Sequence, residues 1–576
     1  MYGKTWRTSE RKYDVVVSRD VKILLRDGMD LNADIFRPDS DEQFPAIFGF
    51  HPYDQIPQTA PIKPQAFGIQ IGLAQGQEKS NAWVEAGDPY FFARRGYAYV
   101  IANIRGTGKS GGRYPFLAPP EAQDGCEVIE WIARQRWCNG SVGMFGVSYF
   151  AWIQFYIASL NPPQLKCIFA PWASTDLYRH SVYRGGILGH GFWRMWARTS
   201  LHKGRVESDS RKVLGDYRFQ EEVARLLRDE DIASVPELVE ILKNPDVSTN
   251  PLLVDFLLNP LDGPYWEKRR VKYENIRVPA YLGADWGMYG LHLPGAFRSW
   301  ENLKVPKKLL IGPPMYLDRP LYQLQYESLR WFDQWLKGID TGVLREPPVR
   351  LFLMGTGTWK EAGEWPLPET KWTPFYLHEE GLLWEREPWP NEQFSAFGDS
   401  PWQRGSIEFY SPNLVEDTEI IGPMALTLYA STTDPEVLWL VSLRMVDPEG
   451  NEKVLTRGWL RGTHREIDPA RSKPWEPFHP HTRSEPLTPG KIYEFNIPIV
   501  PTGALFKVGS RIGLKISCVD DVPTNPLEMI AGGHLRRQSP SRITVYHDAA
   551  HPSHLLLPIT KGNVIGTFIS GGKPYL

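Results

Sequence analysis

One serine stands out by its surroundings. Gly146-Val147-Ser148-Tyr149 follows an apolar stretch, Ser141 to Phe145, and leads into a helix-forming run from Ala151 to Leu160. A strand that turns sharply into a helix is the setting of a nucleophile elbow. The turn lifts the serine hydroxyl clear of the sheet, and the N–H of the next residue, Tyr149, can serve an oxyanion. The run departs from G-x-S-x-G at one place, where Phe150 takes the second glycine position. A bare G-x-S is common, so the strand–turn–helix context carries the reading against an ordinary turn serine. A serine hydroxyl is a weak nucleophile near neutrality and needs a base beside it. The first 345 residues offer His51, His180, His190, His202 and His292.

The elements that must position these groups follow from hydrophobic patterning. Tyr13 to Pro38 reads as β-structure with a hairpin turn at Asp27-Gly28. Phe44 to Phe50 and Ala98 to Ala102 are short apolar runs bounded by turn residues, as buried parallel strands require. Val128, Ile129, Trp131 and Ile132 share one helical face between Gln123 and Gln135. Such alternation predicts a doubly wound α/β sheet domain over 1–174 and 273–345. Residues 175–272 change to helix-period segments and read as an inserted helical cap. From 346 to 576, strands separated by Pro/Gly turns predict an antiparallel β-sandwich.

Composition narrows the function classes. A chain of 576 residues exceeds one ordinary core, and 42% hydrophobic with 23% charged residues describes a soluble globular protein. The net charge of −2, with no run of one sign, gives no reason to expect a nucleic acid partner. No signal peptide or membrane span is apparent. Four scattered cysteines (Cys126, Cys138, Cys167, Cys518) lack metal-ligand spacing and suit reduced thiols in a cytoplasmic protein. The expected partner is a small-molecule substrate, with no cofactor and no metal; a homodimer is left open. The 22 tryptophans suit large cores or an aromatic-lined pocket.

Several motifs, in one order from about residue 20 to 550, resemble the cocaine esterase and X-prolyl dipeptidyl aminopeptidase group, the CocE/NonD hydrolases. They include Asp27-Gly28 with Leu31-x-Ala33-Asp34-x-x-Arg37-Pro38, Arg105-Gly106-Thr107-Gly108-Lys109-Ser110-x-Gly112, and Asp124-Gly125. Asn259-Pro260-x-Asp262-x-x-Tyr265-Trp266 and Gly458-x-Leu460-Arg461-x-x-His464-Arg465 follow the same template. The resemblance implies an α/β-hydrolase domain, a helical cap and a jelly-roll domain, working as a serine esterase or peptidase. It implies an oxyanion-hole tyrosine on the loop Phe50-His51-Pro52-Tyr53, hence Tyr53, with the Tyr149 N–H as second donor. Relatives place the acid in Trp-x-Asp, but here Met288 stands at that position after Trp286, and Asp285 is the nearest carboxylate. Relatives carry the base shortly after a Gly-Pro turn, where this chain has Tyr316 instead of histidine. His292, in Gly290-Leu291-His292, is then the first substitute and His51 the second.

The expected activity is a serine-dependent hydrolase or acyl transferase on an ester, lactone or amide with an apolar part. Tyr178, Tyr183, Phe192, Trp193 and Trp196 of the cap would wall the pocket. The altered acid and base positions leave two alternatives: a lyase, isomerase or cyclase using the same oxyanion site, or a non-catalytic binding protein.

Overall fold

The computed structural model describes residues 6–53, 85–201, 205–314, 320–521 and 533–562 of the chain. Ten strands form the first sheet: β1 (Val15–Leu24), β2 (Asp30–Pro38), β3 (Phe44–His51), β4 (Ala98–Asn103), β5 (Cys138–Phe145), β6 (Leu165–Pro171), β7 (Ala280–Asp285), β8 (Lys307–Gly312), β9 (Val349–Leu353) and β10 (Thr358–Ala362). Their order is β1-β2-β4-β3-β5-β6-β7-β8-β9-β10. The pairs from β4–β3 through β8–β9 are parallel. β1–β2, β2–β4 and β9–β10 are antiparallel. β3 and β4 are buried along their whole length, which is why they read as continuous apolar runs rather than alternating ones.

The chain runs β3 to β4 on one side and then returns to β5 on the other, so the order reverses beside β3. In open α/β sheets ligands bind at such a switch point, beyond the carboxyl ends of the strands. His51 ends β3, Ser148 follows β5 and Asp285 ends β7. Three elements separated in sequence therefore deliver their residues to one edge.

Helices α1 (Pro119–Ala133) and α2 (Tyr149–Ala158) pack on the sheet. All ten residues of α2 are buried, consistent with its being apolar all round. Gly125 permits close α1–α2 packing, since a Cβ there would lie 2.2 Å from Ile157. Three motif residues meet here. Arg105 donates to Asp124 from Nε and Nη2 at 2.5 Å each, and its Nη2 lies 2.9 Å from Asp27.

Between β6 and β7 the chain forms the cap, which includes α3 (His190–Ser200) and further short helices up to Pro264–Glu267. Helix α4 (Leu293–Asn302) follows β7, and α5 (Pro320–Leu336) follows β8. Two strands beyond the expected boundary at 345/346 extend the first sheet. β9 and β10 add to the first sheet, because Leu309 to Ile311 of β8 offer a parallel edge to Val349–Leu351. The antiparallel sandwich begins with the strand Lys371–Leu377. Its longest strand, Thr418–Thr432, pairs with three others and is interrupted between Gly422 and Met424. Pro423 lies at the break and has no N–H to donate there. The four cysteines are free thiols.

Candidate active site

Ser148 has φ 55° and ψ −125°, a conformation that an L-residue adopts only under constraint. The constraint comes from both flanks. The Val147 N–H donates to the Glu85 carbonyl at 2.8 Å, and Ser148 caps α2 without spending its side chain on the cap. Phe150, the departure from the elbow pattern, is accommodated by glycines. A Cβ on Gly146 would meet Phe150 Cβ at 2.4 Å, and one on Gly49 would meet the Phe150 ring at 3.1 Å.

The liberated hydroxyl faces His292, with Ser148 Oγ 3.3 Å from Nε2. His292 is fully buried, and burial pulls its pKa down to about 3. The imidazole therefore stays neutral at any ordinary pH, the form that can accept a proton. The Trp152 ring meets the imidazole edge to face at 5.6 Å.

His292 is placed by the turn Trp286–Met288 between β7 and α4. Its own N–H donates to the Met288 carbonyl at 3.0 Å. Asp285 caps that turn: Oδ1 accepts from the Gly287 N–H at 2.8 Å and Oδ2 from Trp172 Nε1 at 2.6 Å. Burial raises the Asp285 pKa to about 7, although both hydrogen bonds favour the carboxylate.

His51 does not join the Ser148–His292 contact. Its ring stacks on Phe150 at 4.6 Å and 16°, and Nδ1 accepts from the Tyr53 N–H at 3.2 Å. Burial holds it near 3 as well. Tyr53 is buried, its carbonyl held by Asn103 Nδ2 at 2.8 Å. Its ring lies 6.4 Å from Tyr149 and 6.3 Å from Trp196. Trp196 stacks flat on Tyr149 at 5.9 Å and 4°, and Trp193 meets Trp152 at 6.0 Å. Trp193 and Trp196 thus stand over the elbow. Tyr178 and Tyr183 serve the cap instead, stacked on each other at 5.2 Å with their hydroxyls on the Pro260 and Phe256 carbonyls. Phe192 packs edge-on to Trp193 at 5.1 Å. Tyr316 and His202 lie outside the described residues.

The Tyr149 N–H is at the first position of α2, where no intrahelical acceptor exists and the helix dipole is positive. Its hydroxyl serves another purpose. It donates to Glu121 Oε1 at 2.8 Å and accepts from the Tyr114 hydroxyl at 2.7 Å. Glu121, whose Oε2 also accepts from the Leu117 N–H at 2.7 Å, is fully buried, and burial raises its pKa to about 8. Sequence reasoning passed over Glu121, Tyr114, Trp152 and Trp172. Trp152 was within reach, four residues after the serine on a run already read as helix. The others are brought in by long-range folding alone. Among the described residues no cluster of His, Cys, Asp or Glu side chains is placed to hold a metal ion.

The arrangement is that of a buried hydroxyl, a neutral imidazole within reach of it, helix N-terminal amide donors and an aromatic lid. Residues 27–315 match the family model of X-Pro dipeptidyl-peptidase (S15 family), and residues 341–556 match the X-Pro dipeptidyl-peptidase C-terminal non-catalytic domain. The chain is similar to cocaine esterase of a Rhodococcus species, at 26% identity over 95% of this chain and 99% of the relative. A putative serine esterase of Mycobacterium bovis is 26% identical over 81% of this chain and 84% of its own. A CocE/NonD family hydrolase from Staphylococcus aureus superposes with a TM-score of 0.78 at 25% identity, covering 95% of this chain and 94% of the other.

Proposed function

The chain belongs to the X-Pro dipeptidyl-peptidase (S15) family of CocE/NonD serine hydrolases, and from that premise we propose that it cleaves an ester, lactone or amide bearing an apolar acyl or aromatic part. The carrying observation is the 3.3 Å approach of Ser148 Oγ to His292 Nε2 at a constrained elbow. Ser148 attacks the carbonyl carbon while His292 Nε2 takes the hydroxyl proton. The tetrahedral oxyanion is received by the Tyr149 N–H and the Tyr53 hydroxyl. His292 then returns the proton to the leaving group, and water resolves the acyl-enzyme by the same route in reverse.

Asp285 acts in this scheme as a positioning residue. It caps the turn whose Met288 carbonyl anchors the His292 backbone. Trp193 and Trp196 form the apolar side of the pocket, and their packing on Trp152 and Tyr149 supports an aromatic or branched acyl group there. The His51 ring, packed on Phe150, supports the loop that carries Tyr53.

A panel of p-nitrophenyl esters graded from acetyl to benzoyl, with aryl lactones beside them, tests the reading. Turnover should rise with the apolar bulk of the acyl group and vanish in Ser148→Ala. Substantial hydrolysis by Ser148→Ala would show that the bond is broken without this nucleophile.

A further inference from the structure

The segment that carries His292 is met from outside by two arginines. Arg184, on the short cap strand Tyr183–Arg184, donates from Nη1 to the Gly290 carbonyl, just ahead of His292 in the chain. Arg457, on the sandwich strand Glu452–Arg461, donates from Nε to the Tyr289 hydroxyl at 3.3 Å. Tyr289 and Gly290 lie between the turn Trp286–Met288 and α4. Both contacts therefore fall on the irregular backbone that sets where the imidazole stands.

Arg184 is held in turn by the sandwich. Its Nε donates to His534 Nε2 at 2.9 Å. An arginine Nε only donates, so His534 Nε2 accepts and the ring proton sits on Nδ1. From there it is given to Asp520 Oδ1 at 2.8 Å, and Asp520 Oδ2 accepts from the His534 N–H at 2.9 Å. Backbone bonds fix this imidazole against the cap. The Gly533 carbonyl accepts from the His190 and Gly191 N–H groups at 3.0 and 3.2 Å, and the Leu535 N–H donates to the Leu188 carbonyl at 2.8 Å. Trp459 covers the pair, its ring centre 5.4 Å from the Arg184 guanidinium and 5.5 Å from that of His534. Gly189 leaves the guanidinium its room, since a Cβ there would overlap Arg184 Nη2. A buried guanidinium is costly unless its donors are taken up. Here Nε goes to the sandwich and Nη1 to the segment of the base.

We propose that Asp520, His534 and Arg184 form a positioning chain for the base. The chain runs from the sandwich through the cap to the Gly290 carbonyl and fixes the approach of His292 Nε2 to Ser148 Oγ. It rests on the reading of His292 as the base. Misplacement of a reacting group by about 1 Å can cost about a hundredfold in rate, so a chain that holds this segment bears on the reaction without touching substrate.

Fluorophosphonate labelling of the full chain, timed by intact-protein mass spectrometry, tests the assignment in the wild type, His292→Ala, His534→Phe and the double variant. His534→Phe keeps a ring against Trp459 and loses the side-chain bonds to Asp520 and Arg184. It should slow labelling by about tenfold or more with His292 present and by less than about twofold in the His292→Ala background, because residues that act through one another are not additive. A melting temperature checks the fold of each variant. If His534→Phe fails to fold, Arg184→Lys takes its place under the same criteria; it keeps the charge, but one nitrogen cannot replace the planar fork between His534 and Gly290. Equal slowing with and without His292, the mark of a general loosening, overturns the proposal. Slow labelling in His292→Ala together with wild-type labelling in His534→Phe overturns the positioning chain alone. Wild-type labelling in His292→Ala overturns the base assignment and this proposal together.

Discussion

Glu121 is sealed in the first turn of α1, bonded by the Tyr149 hydroxyl and the Leu117 N–H, with the Tyr114 hydroxyl donating to Tyr149 behind them. Its pKa of about 8, against 4.5 for the ordinary side chain, means that the folded protein keeps a proton that the unfolded chain gives up between those values. The folded state then binds more protons, so this residue's contribution to stability falls as pH rises from about 4.5 to about 8. Glutamine resembles the protonated acid in shape and neutrality, and its carbonyl can accept from the Leu117 N–H or from the Tyr149 hydroxyl. Glu121→Gln should therefore gain on the wild type as pH rises from 5 to 8, by on the order of a few kcal/mol. Urea denaturation of both proteins at several pH values measures the gap. A gap that stays constant with pH would show that Glu121 titrates alike in the folded and unfolded chain. The same desolvation holds His292 and His51 near 3 and lifts Asp285 to about 7, so burial shifts all three of these groups toward their neutral forms.

At the scale of elements, the decisive piece is the short segment from Asp285 to His292. Asp285 holds the Gly287 N–H and Trp172, the Met288 carbonyl holds the His292 N–H, and the sandwich presses on the turn from outside. A Cβ on Gly503 would lie 2.6 Å from the Trp286 ring, and Trp286 Nε1 donates to the Phe352 carbonyl at 2.6 Å. Asp285→Asn replaces one acceptor oxygen by a donor, leaving either Gly287 or Trp172 without its acceptor, at about 1–3 kcal/mol of stability. If Asp285 positions the base, steady-state kinetics should show kcat reduced by more than about tenfold with KM little changed. A raised KM with kcat preserved would make Asp285 a structural residue only. The sequence allowed the elbow to be read because strand, turn and helix are contiguous there. It hid the partners of Asp285, because Trp172 comes from the end of β6, 113 residues away. It also did not show that β9 and β10 join the first sheet, since short strands after a helix look alike whichever sheet they join.

Across the whole molecule, the motifs that made the family legible turn out to be mainly fastenings. Asp27, Arg105 and Asp124 form one ion cluster. Asp262 pairs with Arg179 and Arg270, and its N–H donates to the His481 carbonyl at 3.0 Å, tying cap to sandwich. Gly458 allows strands to close up where a Cβ would meet the Pro498 carbonyl at 2.6 Å. Arg537 of the sandwich reaches Asp231 of the cap at 2.6 Å. These contacts hold three bodies around a small centre at Ser148, where the base we propose, His292, lies outside the Gly-Pro segment that the family resemblance points to. Identity of sequence therefore reports the frame well and the proton path poorly. The path is most directly tested by the rate at which a fluorophosphonate labels Ser148, followed by intact-protein mass spectrometry in the wild type, Ser148→Ala and His292→Ala. The proposed chemistry requires single labelling at Ser148, none in Ser148→Ala, and labelling slowed by about a hundredfold or more in folded His292→Ala. Labelling of His292→Ala at the wild-type rate would contradict the assignment of His292 as the base.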